Sequence, residues 1–547
     1  MSDTPQSEQL VALAEELFIF GQSAEGDAYA IDRTEPGIAL PLRGRRGFRP
    51  ALAALYRANN RKPPSQSALT DAMTVLDGIA QDCPRSVVSL RVARSGDALV
   101  VDLGNAENAR CVVIRPGGWQ VAEHPPSGVV FRRTALTGAL PEPAQPGSGD
   151  LAPLDGLTNL PTEDEPLISA WMVAALDPDI PHAPLALTAQ QGAAKTTTGK
   201  AIVRTVDPSP APLRSAPRSL EEWAVVASGS PVVALDNVSG LPPWLQDAIC
   251  RAATGDGMAR RELYTDSGLS VLTFRRCVVL TGIDLGALRG DLADRTLLVH
   301  PEPIRPDARR LDAEVEAAFT DAWPTITAGL YDLAAVVLAA LPAVELSNPP
   351  RMADFARIVA AVDTVTGSAG LARYAEHARD LADDVLDADT VAASVRAFMA
   401  DRDRWTGTAT ELLDALTSPT PTPKSWPTTA HHLSARLRRT MPALAAIGIE
   451  VDPDHRTAAG RRITLARMTH DAHDTHPLLL KEGNEGEASD SSRNRAASAS
   501  QASLTDHDTG PLDDLADDVL DSAPPFERVP DHVLARWELE DTGREVA

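Results

Sequence analysis

The sequence predicts a multidomain α/β protein, and three observations lead to this fold class. Its 547 residues exceed what one domain of roughly 100–200 residues holds, so three or four domains are expected. Strand-like and helical segments alternate between residues 160 and 304, which is typical of a parallel sheet covered by helices. Hydrophobic residues make up 43% of the chain, enough for packed cores. A wholly disordered chain is therefore excluded.

Charge and cysteine usage limit the partners of this protein. Aspartate and glutamate number 76 against 51 lysines and arginines, a net charge of −25, so any contact with DNA must be local. The four cysteines stand far apart without a CxxC pair, which indicates neither a zinc ribbon nor a disulfide framework and fits a reducing cytosol. No apolar run approaches the ~20 residues of a membrane span. We therefore expect a cytoplasmic protein with no membrane contact.

The first 150 residues read as an α+β domain. A helical start is followed by strand-like runs at 86–92, 98–103 and 111–114, each bounded by turn residues. Proline and glycine are concentrated in residues 141–150, PEPAQPGSGD, as in a linker between domains.

The next 145 or so residues, 160–304, are expected to form a sheet of parallel strands with connecting helices. Apolar runs that end in turn residues predict the strands, and apolar residues at helical spacing predict the helices. The predicted strands are 184–188, 231–235, 277–281 and 296–299, and the predicted helices are 165–176, 196–206, 219–227 and 243–253.

Beyond residue 305 the pattern becomes helical, then mixed, then acidic. Residues 305–402 are predicted to be all-α, with helices at 308–319, 325–341, 352–362, 371–387 and 390–399. Residues 403–467 are predicted to form a separate unit, with helices 408–416 and 429–441 followed by strands 449–451 and 462–465. Residues 468–547 hold 6 basic and 19 acidic side chains, which predicts a disordered acidic tail.

A strand, a loop of small residues, a lysine and a helix follow one another at residues 185–206. This order is what a phosphate cradle requires, because loop amides and a helix N-terminus face the anion and the lysine reaches its outer phosphates. Aligned to GxxxxGK[ST], residues 189–196 carry alanine at both glycine positions and a glycine inside the loop. The alternative is an ordinary strand-to-helix loop. The predicted ATP-binding residues are Ala189, Gln190, Gln191, Gly192, Ala193, Ala194, Lys195, Thr196 and Thr197.

A carboxylate at the end of the next predicted strand supports this interpretation. Asp236 follows four apolar residues, as where a neighbouring strand delivers an aspartate to Mg²⁺, and the hydroxyl of Thr196 is the expected second protein ligand. Asn237 stands where many ATPases carry the glutamate that polarises the attacking water, so the usual general base is absent or comes from elsewhere.

With these residues assembled, the middle of the chain resembles the AAA+ class of P-loop ATPases, particularly the helicase-like ATP-binding proteins of actinobacterial phages, plasmids and integrative elements. The phrases that carry the resemblance are QQGAAKTTTGK, VVALDNVSGLPPWLQDAICRAATGDG, ELYTD, TGIDLGALRGDLADR and PPRMADFA. The likeness covers residues 160–370 and implies an AAA+ P-loop core at 160–304 with an α-helical lid at 305–402.

The resemblance also implies roles for three further residues. Thr281 stands where these ATPases place a polar sensor that orients the attacking water. Arg295 stands where an arginine finger reaches the γ-phosphate of a neighbouring subunit, with Arg289 in reserve, and a surface salt bridge is the alternative. Arg351 corresponds to the second sensor, or is a solvated residue of a first helical turn. An arginine finger implies a homo-oligomeric ring.

Two basic regions are candidate DNA contacts. In helicase-like rings a hairpin lines the channel, which would place Arg260 and Arg261 near DNA phosphates, although a simple sheet extension fits too. Residues 403–467 resemble a winged helix and, from 405 onward, carry eight basic against five acidic side chains. Its candidate DNA-binding residues are Arg436, Arg438 and Arg439 in the second helix and Arg461 and Arg462 in the wing; a winged helix that contacts only protein is the alternative.

The sequence as a whole thus predicts an AAA+ ATPase that uses ATP and Mg²⁺ to work on DNA, as a helicase-like replication factor of a mobile element. An ATP-binding regulatory switch with little or no hydrolysis is the first alternative, favoured by Asn237 and by the alanines of the loop. A P-loop phosphotransferase is the second.

Overall fold

The computed structural model describes residues 4–44, 47–255, 257–261, 269–283, 288, 290–416, 426–457 and 460–468. The chain divides into two compact units, one of residues 1–52 and 65–481 and one of residues 53–64 and 482–547. Of the second unit only residues 53–64 are described, and residues 53–60 of these are helical. The predicted acidic tail at 468–547 lies outside the described residues apart from Met468.

The N-terminal region combines helices with two antiparallel meanders, one at residues 18–41 and one at residues 92–122. The second is called the N-terminal meander below. Both element types predicted for this region are therefore present. The predicted strand 86–92 is broken into three short ones that join different sheets. The elements are α1 Gln6–Leu17, β1 Phe18–Ser23, β2 Ala28–Asp32, β3 Ala39–Pro41, α2 Phe48–Asn60, α3 Gln66–Gln81, β4 Arg85–Ser86, β5 Val88–Ser89, β6 Val92–Ser95, β7 Ala98–Asp102, β8 Cys111–Arg115, β9 Gly118–Ala122 and β10 Val130–Phe131.

The central region forms a parallel sheet flanked by helices. Its strand order is β12-β15-β11-β16, and each neighbouring pair is parallel. Apolar strands buried along their whole length explain the continuous hydrophobic runs in the sequence. The elements are α4 Ala152–Asp155, α5 Glu165–Ala175, β11 Leu185–Thr188, α6 Lys195–Val206, α7 Leu220–Gly229, β12 Val232–Leu235, α8 Pro243–Thr254, β13 Gly257–Arg261, β14 Leu269–Thr273, β15 Cys277–Gly282, α9 Gly290–Ala293 and β16 Leu297–Val299.

One long helix, α10 Asp312–Ala340, replaces the two helices predicted at 308–319 and 325–341. Pro324 lies inside this helix, although an internal proline removes a backbone hydrogen bond at a cost of about 3 kcal/mol. Phe319, Ile326 and Tyr331, on either side of the proline, are all buried in the same core. Continuous burial of that face outweighs the proline penalty. The two-helix prediction was wrong for this reason.

The same helix is long and apolar enough, by length and composition, to cross a membrane, but just over half of its most apolar stretch is buried inside the chain. This is the burial expected of a core helix. Helices α11 Ala353–Thr366 and α12 Gly370–Ala388 follow it along the chain.

The proline- and glycine-rich stretch 141–150 packs directly against α10 and does not behave as a free linker. The Asp332 carboxylate accepts hydrogen bonds from Trp119 Nε1 at 2.7 Å, Gly147 N at 2.8 Å and Gly149 N at 3.1 Å. A Cβ on Gly149 would lie 2.0 Å from the backbone nitrogen of Gly329, so only glycine permits this approach. The composition therefore indicates close backbone packing here.

One hydrophobic core runs through the N-terminal meander, the parallel sheet and the following helices. It includes Leu99 and Ile114 of the meander, Leu187 of the sheet, Tyr331 of α10 and Phe355 of α11. The domain bounds drawn at 150 and 304 cross this continuous core, and they remain predictions.

The C-terminal elements form a unit with its own core. They are α13 Thr390–Met399, β17 Arg404–Gly407, α14 Ala409–Ala415, α15 Ala430–Ala446, β18 Ile449–Thr457 and β19 Gly460–Arg467, with strand order β17-β19-β18. Buried Val391, Val395 and Met399 of α13 belong to this core. Helix α13 lies in the segment 305–402 that the sequence predicts to be all-α, and its apolar face packs into this core. The domain bound at 402 remains a prediction.

A buried ion pair ties the start of the N-terminal meander to the end of helix α6 in the central region. Arg91 Nε donates to Asp207 Oδ1 at 3.1 Å, and the side chains are 1% and 3% exposed. The remaining nitrogens of Arg91 donate to backbone oxygens of Asp102 and Gly138 at 2.9 and 2.6 Å. Burial raises the pKa of Asp207, and the charge of Arg91 opposes that rise.

We predict that Asp207→Asn lowers the free energy of unfolding by about 3 kcal/mol, because it leaves the buried guanidinium of Arg91 without its counter-charge. The matched control is Asp179→Asn, whose carboxylate is 65% exposed and faces Arg94 at 3.5 Å; it should change the value by less than about 0.5 kcal/mol. Urea unfolding followed by circular dichroism measures both. Equal effects of the two substitutions would contradict the assignment.

Candidate nucleotide site

The parallel pairing brings the ends of separate strands to one edge of the sheet. Thr188 ends β11, Asp236 follows β12, Thr281 lies near the end of β15 and His300 follows β16. The register pairs Thr281 with Leu187, and Leu280 with both Ala186 and Leu235. Polar groups from four strands therefore meet where ligands bind in open parallel sheets.

The loop between β11 and α6 has the backbone of a cradle. Gly192 and Ala194 adopt φ of +86° and +52°, and α6 begins at Lys195, immediately after Ala194. The first amides of α6 face this loop and have no partner within the helix. Lys195 Nζ donates to the carbonyl oxygens of Ala189 and Gln190 at 2.6 and 2.8 Å. Burial lowers the pKa of Lys195, and Asp236 opposes that shift.

Asp236 is the centre of a small hydrogen-bond network. Its Oδ1 atom accepts from Thr196 Oγ1 at 3.0 Å and from Thr281 Oγ1. Thr281 Oγ1 in turn accepts from the amide of Asn237 at 3.1 Å. The structure thus brings together Thr196, Asp236 and Thr281, which the sequence placed in one site. Hard oxygen donors of this kind suit Mg²⁺, so the side chains of Thr196 and Asp236 fit that ion.

Strained backbone is concentrated at this site. Of the described residues other than glycine, Arg61, Ala194 and Asn237 have positive φ. Such conformations cost about 1–3 kcal/mol each and persist where the surroundings hold them. Asparagine tolerates the left-handed region well, so the +54° φ gives a structural reason for asparagine at position 237.

Two residues at this edge were missed by the sequence analysis. His300 Nδ1 lies 2.9 Å from Thr188 Oγ1, so the imidazole faces the end of β11. Its position directly after an apolar strand is the signal that identified Asp236. Arg309 Nη2 lies 3.5 Å from where a Cβ on Gly192 would be, which places an exposed guanidinium beside the loop. Nothing in the local pattern around Arg309 indicates this.

Arg295 and Arg351 share one carboxylate. Arg295 Nη2 and Arg351 Nη2 donate to Asp291 Oδ1 at 3.1 and 2.8 Å. Burial raises the pKa of Asp291, but the bond and charge of Arg295 outweigh it and the net shift is downward. The Arg295 side chain is only 13% exposed and that of Arg351 is 43% exposed. An intramolecular salt bridge, the alternative for Arg295, is therefore present, and the finger and sensor roles remain predictions.

The candidate DNA contacts fall into three groups. Arg436 Nε donates to Asp389 Oδ2 at 2.9 Å, so its charge is neutralised within the chain. Arg438 and Arg439 are exposed on α15. The third group lies on β strands. Arg260 and Arg261 belong to the antiparallel hairpin β13–β14, and Arg461 and Arg462 belong to β19. Arg462 is half-buried, and the side chains of Arg260, Arg261 and Arg461 are not described. Arg289 also lies outside the described residues.

We predict that Ala194→Gly raises the free energy of unfolding by about 1 kcal/mol, since glycine adopts this left-handed backbone without the Cβ clash. The control is Ala189→Gly in the same loop, where φ is not positive and where added chain entropy should cost about 0.5–1 kcal/mol. Equilibrium unfolding in urea checks the signs. A loss of stability in both variants would show that Ala194 is unstrained.

Two family models match the central and C-terminal parts of the chain. A family model described as "Actinomycete integrative conjugative element replication protein" matches residues 152–384, and one described as "AICE RepA C-terminal domain" matches residues 391–484. The two models together match more than half of the chain, and the first contains the loop, Asp236 and Thr281. No curated protein matches in sequence.

Two solved structures illustrate the more distant similarities. One, titled "SCCmec type IV Cch - active helicase", is 11% identical, with 82% of this chain and 93% of that chain covered and a TM-score of 0.41. The other is the A form apo structure of the NrS-1 C-terminal region, which is 10% identical, with 86% of this chain and 100% of that chain covered and a TM-score of 0.35. Both TM-scores are below 0.5, too low to assign a shared fold or function.

Proposed function

This chain belongs to the family of actinomycete integrative conjugative element replication proteins, and from that premise we propose that it is an AAA+ ATPase that couples ATP hydrolysis to work on DNA. The observation that carries the proposal is the meeting of Lys195, Thr196, Asp236 and Thr281 at the carboxyl edge of a parallel sheet.

Each residue has a distinct task in the proposed site. The loop amides and the start of α6 bind the phosphate chain, and the Lys195 ammonium stabilises negative charge on its outer end. Arg309 supplies a second positive charge from beyond β16. Thr281, held by Asp236 and bonded to the amide of Asn237, orients a water molecule at the edge. Bound Mg²⁺, held by Thr196 and Asp236, would neutralise charge on the phosphates.

Helices α10 to α12 are proposed to be the lid of this ATPase and to carry Arg351. The Asp291 carboxylate links Arg351 to Arg295, so a change at one arginine is transmitted to the other. We extend the proposal to a homo-oligomeric ring in which Arg295 leaves Asp291 and approaches the nucleotide of a neighbouring subunit. When the Arg295 guanidinium moves from the Asp291 carboxylate to a phosphate, its positive charge keeps an anionic partner.

The C-terminal unit is proposed to be a winged helix that binds DNA. Its order of elements, helix, strand, two helices and a final strand pair, supports this assignment. Helix α15 carries exposed Arg438 and Arg439, and β18 and β19 form the wing. Because base-independent contacts to phosphates dominate affinity, these arginines are expected to act mainly through charge.

ATP turnover tests the nucleotide site. We predict that Lys195→Ala lowers kcat at least 100-fold, because the positive charge that stabilises the outer phosphates is lost. Lys200→Ala is the matched control: Lys200 lies on the same helix, 3.5 Å from Glu316, and should leave turnover within twofold. Rates are measured with and without single-stranded DNA. The proposed site would be overturned if both variants still bind ATP and if Lys195→Ala still hydrolyses it at the original rate.

One observation favours a second candidate function, a regulatory switch. Asn237 occupies the expected place of the general base, in a backbone conformation that suits asparagine. Tight ATP binding that depends on Lys195 but produces no turnover would support the switch and exclude the motor.

Salt-dependent DNA binding tests the winged helix. The double variant Arg438→Gln/Arg439→Gln is expected to weaken binding to duplex DNA uniformly across sequences and to reduce the slope of log K against log salt by about two. Arg115→Gln is the control, since Arg115 is an exposed arginine of the N-terminal meander paired with Asp97. An unchanged salt slope in the double variant would favour a winged helix that contacts only protein.

A further inference from the structure

A cavity of about 640 Å³ lies at the opposite edge of the parallel sheet from the nucleotide site. It is bordered by the start of β15 at Cys277, by Pro231 before β12 and by residues around β1, β2 and β5 of the N-terminal region. Thr281 lies four residues after Cys277 along β15, which is roughly 13 Å of strand. A ligand in this cavity is therefore separate from one at the P-loop.

Five arginines line this cavity. Arg43 and Arg91 are paired with Asp77 and Asp207. The other three, Arg132, Arg275 and Arg276, are not paired with a carboxylate among the described residues. Arg132 Nη2 donates to Ser228 O at 3.1 Å, and Arg275 Nη1 donates to Pro178 O at 2.9 Å. Arg276 donates through Nε to Ala227 O and through Nη1 to Arg275 O. Backbone carbonyls thus fix each guanidinium in place without neutralising its charge.

Several guanidinium nitrogens of these three arginines have no hydrogen-bond acceptor in the described part of the chain. Nη2 of Arg275, Nη2 of Arg276 and both Nε and Nη1 of Arg132 have no acceptor among the described residues. Carboxylates do reach the cavity, as Glu25 and Asp27 line its N-terminal side, and the Glu25 carboxylate accepts from Ser23 Oγ at 2.8 Å. The opposite wall is predominantly cationic.

A buried histidine lies close to the positive charges of these arginines. His182 lines the cavity, is 5% exposed, and its Nδ1 atom is buried without a hydrogen-bond partner among the described residues. Burial, together with the charges of Arg275 and Arg276, lowers the pKa of His182 to about 3. Burial also lowers the pKa of Arg276 to about 10. Unpaired charges and an orphaned polar atom are costly inside a protein unless a ligand satisfies them.

We propose that this cavity binds a phosphate-bearing ligand of the nucleotide class, held by Arg132, Arg275 and Arg276. Guanidinium forks suit phosphate oxygens in geometry and charge. The volume is that of a mononucleotide-sized site. Tyr29, Val88 and Phe274 line it with apolar surface suited to a base or sugar. The phosphate comes either from a free nucleotide or from the end of a nucleic-acid strand.

Calorimetric titration of the full chain with pyrophosphate tests the proposal. All proteins in the test carry Lys195→Ala, which weakens the P-loop site. Pyrophosphate is expected to bind this chain, with at least tenfold lower affinity when Arg132→Gln and Arg275→Gln are added. Arg115→Gln, the control, should leave the affinity unchanged. Arg276 is not substituted, since its burial makes misfolding the expected result, and circular dichroism checks the fold of each variant.

Competition then identifies the source of the phosphate. Displacement of pyrophosphate by dTMP assigns a free nucleotide, and displacement by a 5′-phosphorylated oligonucleotide but not by dTMP assigns a strand end. Either result supports the proposal. It is overturned if neither competitor displaces pyrophosphate, if the chain with Lys195→Ala does not bind pyrophosphate, or if the Arg132 and Arg275 substitutions leave the affinity unchanged. A failure of ATP turnover at the P-loop would not alter any of these outcomes.

Discussion

The candidate site depends on the parallel pairing of β15 with both β11 and β12. This register fixes Thr281 between the loop that follows β11 and Asp236, and a slip of one residue would turn Thr281 to the other face of the sheet. The strands are held by burial, since every residue of β11, β12 and β15 lies in the interior. A small polar network is therefore positioned by a much larger apolar one.

The same apolar core connects the site to distant parts of the chain. Helix α10 packs on the N-terminal meander through Trp119 and Tyr331, whose rings lie 5.5 Å apart, and on the central region through Phe319. Arg91 and Asp207 add a buried electrostatic tie across the same boundary. Movement of the helices relative to the sheet would therefore involve the N-terminal region as well. The two edges of the sheet, with Asp236 at one and Arg276 at the other, share strands and so are mechanically linked.

The sequence predicted the parts of the site that depend on local order. A strand followed by a small-residue loop and a lysine, and a strand that ends in aspartate, are patterns within a few residues. The structure places Lys195 at the start of α6 and Asp236 directly after β12. It did not predict Arg309, because its place beside Gly192 depends on the path of the chain after β16. Arg351 illustrates the same limit, since its contact with Asp291 joins residues that are far apart in the sequence.

Two other differences have identifiable physical causes. Proline at 324 normally ends a helix, but apolar residues on both sides enter one core and the helix continues. The prolines and glycines of residues 141–150 indicated a linker between domains, whereas the glycines at 147 and 149 permit close contact with Asp332 and Gly329. In both cases long-range burial outweighs a local preference that the sequence expresses clearly.

The magnesium dependence of ATP binding tests the central claim most directly. Titration of the full chain with ATP, in Mg²⁺ and in EDTA, should give an affinity at least tenfold higher with Mg²⁺. That difference should disappear in Asp236→Asn and persist in Asp247→Asn, which alters a carboxylate on α8. Binding that is equally tight in EDTA, or a magnesium effect retained in Asp236→Asn, would contradict the assignment of this edge as a nucleotide site.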